Sequence, residues 1–276
     1  MSLSGSFLMV PDISIIIVNW NTCELLRQCL SSIGYSRELV WEILVIDNAS
    51  TDGSPQLVAR DFPEVRLIVN EINVGFARAN NQGLAIARGR YILLLNSDTI
   101  VSAVALTELV KFMEARSEAG VCSPRLLGSN GIPQPYAFGR DPSLTYLLVR
   151  GFSLLVLKRY LHNWAIQHIQ AVDWVSAACM MIRRQVIEQV GGLDENIFMY
   201  FEDNDWCLRI RHAGWKIYYN PDVSVTHLSG QSLQKNLAAR TAYYQSLDYF
   251  YTKHYGPLAH LLLRIALGAY RLFVRY

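Results

Sequence analysis

A chain of 276 residues with 51% apolar and 17% charged side chains falls below the roughly 25% charge of an average soluble protein. That excludes a disordered or fibrous polypeptide and leaves room for one large α/β unit or two smaller domains. Its 25 Lys and Arg against 23 Asp and Glu give a formal charge of +2, too near balance for a protein that binds by neutralising many phosphates, so no nucleic-acid partner is expected.

The opening MSLSGSFLMVPD lacks a basic segment followed by a long apolar stretch. Residues 1–11 therefore read as a leader or N-terminal extension rather than a secretory signal, and a cytoplasmic location is expected. Ile13 to Val18, β-branched and bounded by Pro11 and Asn19, predicts a buried strand. Leu25, Leu26, Cys29 and Leu30 at helical spacing predict a helix over 22–33, with Thr22 as N-cap and Gly34 as its stop. Glu42 to Ile46 repeats the strand, ended by Asp47, and Ser54-Pro55 opens a second helix. Val65 to Val69 ends at Asn70, and a helix through Ala77, Leu84 and Ala87 follows, terminated at Gly89. Tyr91 to Leu95 gives way to Asn96-Ser97-Asp98, and Ala105, Leu106, Leu109, Val110 and Met113 mark a further amphipathic helix. This alternation predicts a Rossmann-like, mostly parallel α/β sheet covered by helices on both faces.

In open sheets of this kind ligands lie beyond the carboxyl ends of the strands. Asn19, Asp47, Asn70, and Asn96 with Asp98 all fall on that edge. One polar strand end is ordinary, because such residues compete for backbone hydrogen bonds; four at one edge predict a binding crevice. Neither GxGxxG nor GxxxxGK[ST] follows the first strand, so phosphates held there need another neutraliser. Asp98 with Asn96 offers hard oxygen ligands for magnesium or manganese.

After Gly120 the pattern becomes short strands and turns, with a tight hairpin at Asn130-Gly131 and a mixed rather than parallel sheet. Leu144 to Tyr160 is apolar with three basic residues and is expected to cover the acceptor side. Trp174 precedes a small-residue loop and the strand Cys179 to Ile182; it serves either as a sugar-stacking or as a packing side chain. Phe201 to Trp206 holds Glu202, Asp203 and Asp205 in one turn at a helix start. Capping and the macrodipole favour acidic residues there by about 0.3–1 kcal/mol each, but capping employs one or two, and a base must be ionised to take a proton. Lys216 to Tyr219 and Val223 to His227 read as strands around a turn at Asn220-Pro221-Asp222. Val223, Val225 and His227 then share an inward face, where His227 is a metal ligand or a hydrogen-bonded core residue. The five cysteines, Cys23, Cys29, Cys122, Cys179 and Cys207, form no CxxC pair and are expected to be reduced, mostly buried thiols. Arg150, Lys158 and Arg159, and later Arg264, Arg271 and Arg275, stand beside leucine-rich sequence, which suggests a membrane surface; a core helix with a solvated basic edge competes with that reading. No apolar run reaches the roughly 18 residues of a membrane span.

The segments VNWN, VIDNASTDGS, NVGFARANNQG, LLLNSDT, WVSAACMMIRR, FEDNDW and VTHLSG, in this order, resemble family 2 glycosyltransferases, and more narrowly their rhamnosyltransferase-like branch. The resemblance covers about residues 12–230. It implies a GT-A fold with a nucleotide-sugar half (12–123) and an acceptor and catalytic half (124–230); beyond it, the leucines, aromatics and spaced arginines of Leu258 to Tyr276 make 231–276 read as a helical, membrane-associating segment. It implies an inverting enzyme that moves a sugar, rhamnose by branch, from a nucleotide-diphospho-sugar to a glycan or lipid-linked glycan; the basic, leucine-rich segments place that transfer at the cytoplasmic membrane surface. By the same resemblance Asn19, Asp47, Asn73, Gly75, Arg78, Asn80, Asn96 and Asp98 would bind the donor, and Asp98 and His227 a divalent cation, Mn or Mg. NSD stands where the family has DxD, so Asn96 lacks one charge of the pattern. Asp203 would be the base, with Glu202 and Asp205 close by, and Trp174 and Trp206 would meet the acceptor. A non-catalytic sugar-nucleotide or membrane module is the alternative; a sugar-1-phosphate nucleotidyltransferase would need a Gly-rich, Lys-bearing loop that VNWNTCELL is not.

Overall fold

The computed structural model describes residues 10–159, 161–228 and 237–273; the expected leader lies outside them apart from its last two residues. The first half runs β1 (Ile13–Asn19), α1 (Cys23–Ile33), β2 (Trp41–Asp47), α2 (Ser54–Asp61), β3 (Arg66–Val69), α3 (Phe76–Ile86), β4 (Tyr91–Asn96), the short β5 (Thr99–Ile100) and α4 (Ala103–Glu114). The second half adds β6 (Ala119–Leu127), β7 (Phe138–Gly139), and α5 (Leu144–Phe152), which widens into a π turn over Ser153–Leu157. It continues with β8 (Gln170–Val172), β9 (Trp174–Val175), β10 (Cys179–Arg183), α6 (Arg184–Val190), α7 (Glu202–His212), β11 (Lys216–His227), α8 (Leu237–His254) and α9 (Gly256–Phe273).

Among the described residues a nine-stranded sheet runs in the order β3-β2-β1-β4-β10-β6-β11-β5, with β8 also paired to β11. β1, β2, β3 and β4 are parallel, and β10 enters antiparallel between β4 and β6. The mixed second half is therefore continuous with the parallel first half, and β6 crosses positions 123 and 124. β1 and β4 are buried almost end to end, as strands covered on both faces must be. Four of the five cysteines are buried, and burial pushes the thiols of Cys29 and Cys207 up to about 12, which leaves them inert at neutral pH.

Three local expectations are corrected. Thr22 occupies the N-cap position of α1 but makes no capping bond; Asp52 Oδ2 accepts from the Cys23 N–H (2.8 Å) in its place. The helix before Gly89 ends earlier, with Ala87 as the extended capping residue. Gly89 is small for another reason, since a Cβ there would collide with the backbone of Ile13 and Ser14. The turn at Asn220-Pro221-Asp222 forms inside one long strand: β11 keeps pairing with β6 and bulges between Asn220 and Ser224. Beyond the motifs, α8 and α9 pack on α5 and build a second core from Leu247, Phe250, Tyr251 and Leu263, with Phe201 and Leu208 contributed from the start and side of α7.

Candidate active site

The carboxyl edge of the parallel strands is a network of buried polar side chains. Register sets Asn19 beside Asp47 and Val18 beside Asn96. Asn19 Nδ2 donates to Asp47 Oδ1 (2.8 Å) and Ser50 Oγ (3.1 Å), while Thr22 Oγ1 donates to Asn19 Oδ1 (2.6 Å). The Ser50 N–H donates to Asp47 Oδ2 (2.8 Å). Each oxygen of Asp47 thus accepts one bond and retains a second lone pair. Asn48 Nδ2 donates to the Gly75 carbonyl (3.2 Å), and Asn73 Oδ1 accepts from the Gly75 N–H (3.0 Å). Gly75 has φ 89°, and a Cβ there would lie 2.7 Å from the Phe198 ring. That position requires glycine on both counts.

At the end of β4 the chain doubles into β5, which pairs with the last residues of β11, His227 opposite Thr99. This pairing brings an imidazole from far along the chain to the NSD segment. His227 Nε2 faces Asp98 Oδ1 at 3.1 Å and Asn96 Nδ2 at 3.3 Å. On the other side of the ring Gln134 fixes the tautomer: its Nε2 donates to the His227 carbonyl (2.6 Å), so its Oε1 must accept from Nδ1 (2.8 Å). Nε2 is then the ring nitrogen turned toward the Asp98 carboxylate. The chemistry of this donor set fits a divalent cation. Among the described residues there is no group of three or more His, Cys, Asp and Glu placed to hold a metal ion; Asp98 and His227 are the two side chains here that could ligate a cation. Gln134 had no signal in the sequence beyond its place after the Asn130-Gly131 turn.

The third element is the start of α7. Tyr200 and Phe201 both hold left-handed backbone, φ 67° and 68°, a strained pair that launches the helix and sets Glu202 and Asp203 in its first turn. Asp203 Oδ1 accepts from the Asn204 N–H (2.8 Å). Turned with its nitrogen toward Asp203, the Asn204 amide donates to Asp203 Oδ1 (3.2 Å) and accepts from Trp174 Nε1 (3.2 Å), which also donates to the Arg140 carbonyl. Trp174 is half-buried, packs against the main core and shares its N–H with the residue beside Asp203. Burial raises the Asp203 carboxyl above the usual range, against the pull of the Asn204 and Ala177 N–H groups. Glu202 is raised by burial and then by the neighbouring Asp203 charge. Its Oε2 and the Tyr200 hydroxyl are buried without a hydrogen-bond partner among the described residues.

Other expected site residues serve elsewhere. Trp206 is fully buried and donates to the Gly191 carbonyl (2.9 Å), so it presents no face to an acceptor. Asp205 is also fully buried, and Arg209 (2.8 Å), Lys253 (2.6 Å) and His254 (2.7 Å) converge on it. It ties α7 to α8 rather than facing a substrate. Asn80 is 1% exposed and donates to the Phe76 carbonyl within α3, so it lines no crevice. Arg78 pairs with Glu195 (3.0 Å), and Asn81 bonds Leu193 and Glu195. The polar side of α3 thereby holds the 193–201 segment that leads into the carboxylates, a role the motif alone did not indicate.

A Rossmann-like half with a polar strand edge, a mixed half carrying the Glu202–Asp203 carboxylate pair, and a His–Asp contact joining them define a glycosyltransferase of GT-A architecture. Residues 14–191 match the sequence profile of Glycosyl transferase family 2, and the chain belongs to that family. It is 27% identical over 264 residues to an N-acetylglucosaminyl-diphospho-decaprenol L-rhamnosyltransferase of Mycobacterium tuberculosis, spanning 88% of this chain and 84% of that one. It is 31% identical over 224 residues to the low-salt glycan biosynthesis hexosyltransferase Agl10 of Haloferax volcanii, spanning 79% and 68% respectively. In fold it is similar to GalNAc-T7 crystallised with UDP, GalNAc and Mn2+ (TM-score 0.62, 18% identity, 88% of this chain and 50% of that one). It is similar also to S. aureus TarS (TM-score 0.56, 16% identity, 88% and 43%). The chain spans about half the length of those two solved proteins.

Proposed function

We propose that this glycosyltransferase moves a hexose of the rhamnose type from a nucleotide-diphospho-sugar to a hydroxyl of a glycan or lipid-linked glycan, with inversion at the anomeric carbon. The observation that carries the reading is the approach of His227 Nε2 to Asp98 Oδ1 at 3.1 Å, on the same sheet edge as Asn19 and Asp47. The nucleotide base would take the second lone pair of Asp47, and Asn96, Asp98 and His227 would stand at the diphosphate. Asp98 and His227 would hold a divalent cation, which when bound neutralises the charge of the departing diphosphate.

Asp203 supplies the base. Its raised pKa brings it nearer the operating pH, where general-base catalysis is most effective, and Asn204 holds its oxygen in place. The acceptor oxygen attacks from the face opposite the diphosphate, its proton passes to Asp203, the new glycosidic bond forms as the C–O bond to phosphate breaks, and configuration inverts. Glu202 Oε2 and the Tyr200 hydroxyl, buried without partners among the described residues, are the groups that an acceptor hydroxyl would satisfy. The name of the mycobacterial relative supports a rhamnosyl donor and a lipid-diphosphate-linked acceptor.

The test is thermal unfolding with UDP or dTDP, with and without manganese. A ligand at a hundred times its Kd stabilises the native state by about 2.7 kcal/mol. A nucleoside diphosphate should raise the melting temperature most when manganese is present, and Asp98→Ala should remove that metal-dependent increment. Equal stabilisation with and without the metal, or an increment that survives Asp98→Ala, would overturn the assignment of the diphosphate end.

A further inference from the structure

Two stretches far apart in sequence, 144–172 and 249–276, contain no Asp or Glu. They carry Lys253, which is engaged by Asp194 and Asp205, and six further cations: Arg150, Lys158, Arg159, Arg264, Arg271 and Arg275. Since the whole chain is only +2, the remainder is net acidic and positive charge is concentrated in these two stretches. The fold brings them together. α5 and α9 pack on one another, with Leu144, Leu147, Ala259, Leu263 and Leu267 turned into the second core.

Their outer sides are apolar at helical spacing. Leu148, Phe152 and Val156 follow one another every four residues, and Leu258, Leu261 and Ile265 repeat every three or four; all six are between 53% and 70% exposed. A monomer in water rarely leaves such stripes uncovered. No helix among the described residues is long and apolar enough to cross a membrane, so these stripes suit a surface and not a span. Arg150 joins this face to the active site: its guanidinium lies over the Tyr136 ring (5.4 Å), and its neighbour Tyr243 packs on Phe201 (5.0 Å) at the start of α7.

We propose that the joined outer faces of α5 and α9 dock on an anionic bilayer surface, with the apolar stripes entering the headgroup boundary and Arg150, Lys158, Arg159 and Arg264 meeting lipid phosphates. Charge selects this occupant. A second copy of the chain on the same face would set these cations against themselves, whereas an anionic leaflet attracts each lysine or arginine. The docked orientation brings the α7 end of the crevice to an acceptor presented at the surface. Only that last consequence rests on the proposed transfer; the docking itself does not.

The experiment is co-flotation of the full chain with vesicles of phosphatidylcholine alone and of phosphatidylcholine with phosphatidylglycerol. The chain should float with the anionic vesicles, less so as salt is raised, and only weakly with the neutral ones. Leu261→Ser with Ile265→Ser, and separately Leu148→Ser with Phe152→Ser, should each lower the vesicle-bound fraction about tenfold or more, because each pair removes two side chains from the buried contact. Their melting temperatures and nucleoside-diphosphate shifts should match the parent. Equal flotation with both lipids, variants that float like the parent, or a dimer in light scattering that the same substitutions abolish would overturn the proposal. Docking with anionic lipid in a chain that fails every nucleotide test would leave it standing and overturn the donor reading alone.

Discussion

Asp203→Asn is expected to lower turnover by about 10²- to 10⁴-fold while leaving nucleoside-diphosphate affinity nearly intact, because the substitution keeps shape and removes only the proton acceptor. Steady-state rates beside thermal shifts measure the two quantities on one preparation. The pH dependence has a definite sign. Burial holds the Asp203 carboxyl above the usual range, with the Asn204 and Ala177 N–H groups opposing it, so kcat/KM should fall as pH drops, with an acid midpoint above the value of about 3.9 for a free aspartate. The limb belongs to the Glu202–Asp203 pair, since the two charges interact. The same shift predicts stability. A carboxyl raised on folding contributes stability that is fully present below its unfolded pKa and lost as pH rises through the folded one. Ionised Asp203 therefore weighs against the fold at neutral pH, and Asp203→Asn should melt no lower than the parent at about pH 8. Turnover within threefold of the parent would remove Asp203 from the base position.

Much of this site was legible because strands announce their ends. The apolar runs before Asn19, Asp47 and Asn96 each stop at a polar residue, and parallel register then places those residues side by side. His227 was readable from period two, since Val223, Val225 and His227 are indeed all buried. What sequence could not convey is which partner each polar group finds. Asp205 and Asp203 stand two positions apart in one motif, yet one meets Arg209, Lys253 and the His254 ring and the other backbone N–H groups. Trp206 reads like Trp174, but the helix turns it inward to Gly191. Arg78 and Asn81 face the 193–201 segment because that loop, a hundred residues on, returns across α3, and no local pattern encodes a return of that length. The binding role of the α5 and α9 faces was suggested by composition, whereas their contact, and the part α8 takes in holding α7, comes only from tertiary packing.

Asp205→Ala is expected to lower the free energy of unfolding by about 3 kcal/mol, near the bottom of the range for breaking a buried ion pair. The carboxylate is fully buried, whereas Arg209, Lys253 and His254 are 23%, 28% and 13% exposed and so regain some water when it is removed. Lys253 also keeps Asp194 at 2.6 Å. Denaturant unfolding of both proteins measures the loss. Its pH course is the reverse of that for Asp203. Burial alone would raise the Asp205 carboxyl, but hydrogen bonds from His254 and Lys253 and the charge of Arg209 outweigh it and hold the group below the usual range. A group depressed on folding contributes stability above its unfolded pKa of about 3.9 and loses it as pH falls through the folded value, so the deficit of Asp205→Ala should persist from neutral pH down to about 4 and shrink only in stronger acid. Turnover per folded molecule should fall far less than in Asp203→Asn, because Asp205 acts on α7 from behind through α8. If Asp205→Ala abolished turnover while unfolding at the parent's denaturant midpoint, the base would have to be reassigned to Asp205, and Arg209, Lys253 and His254 around it would become part of the chemistry instead of the scaffold.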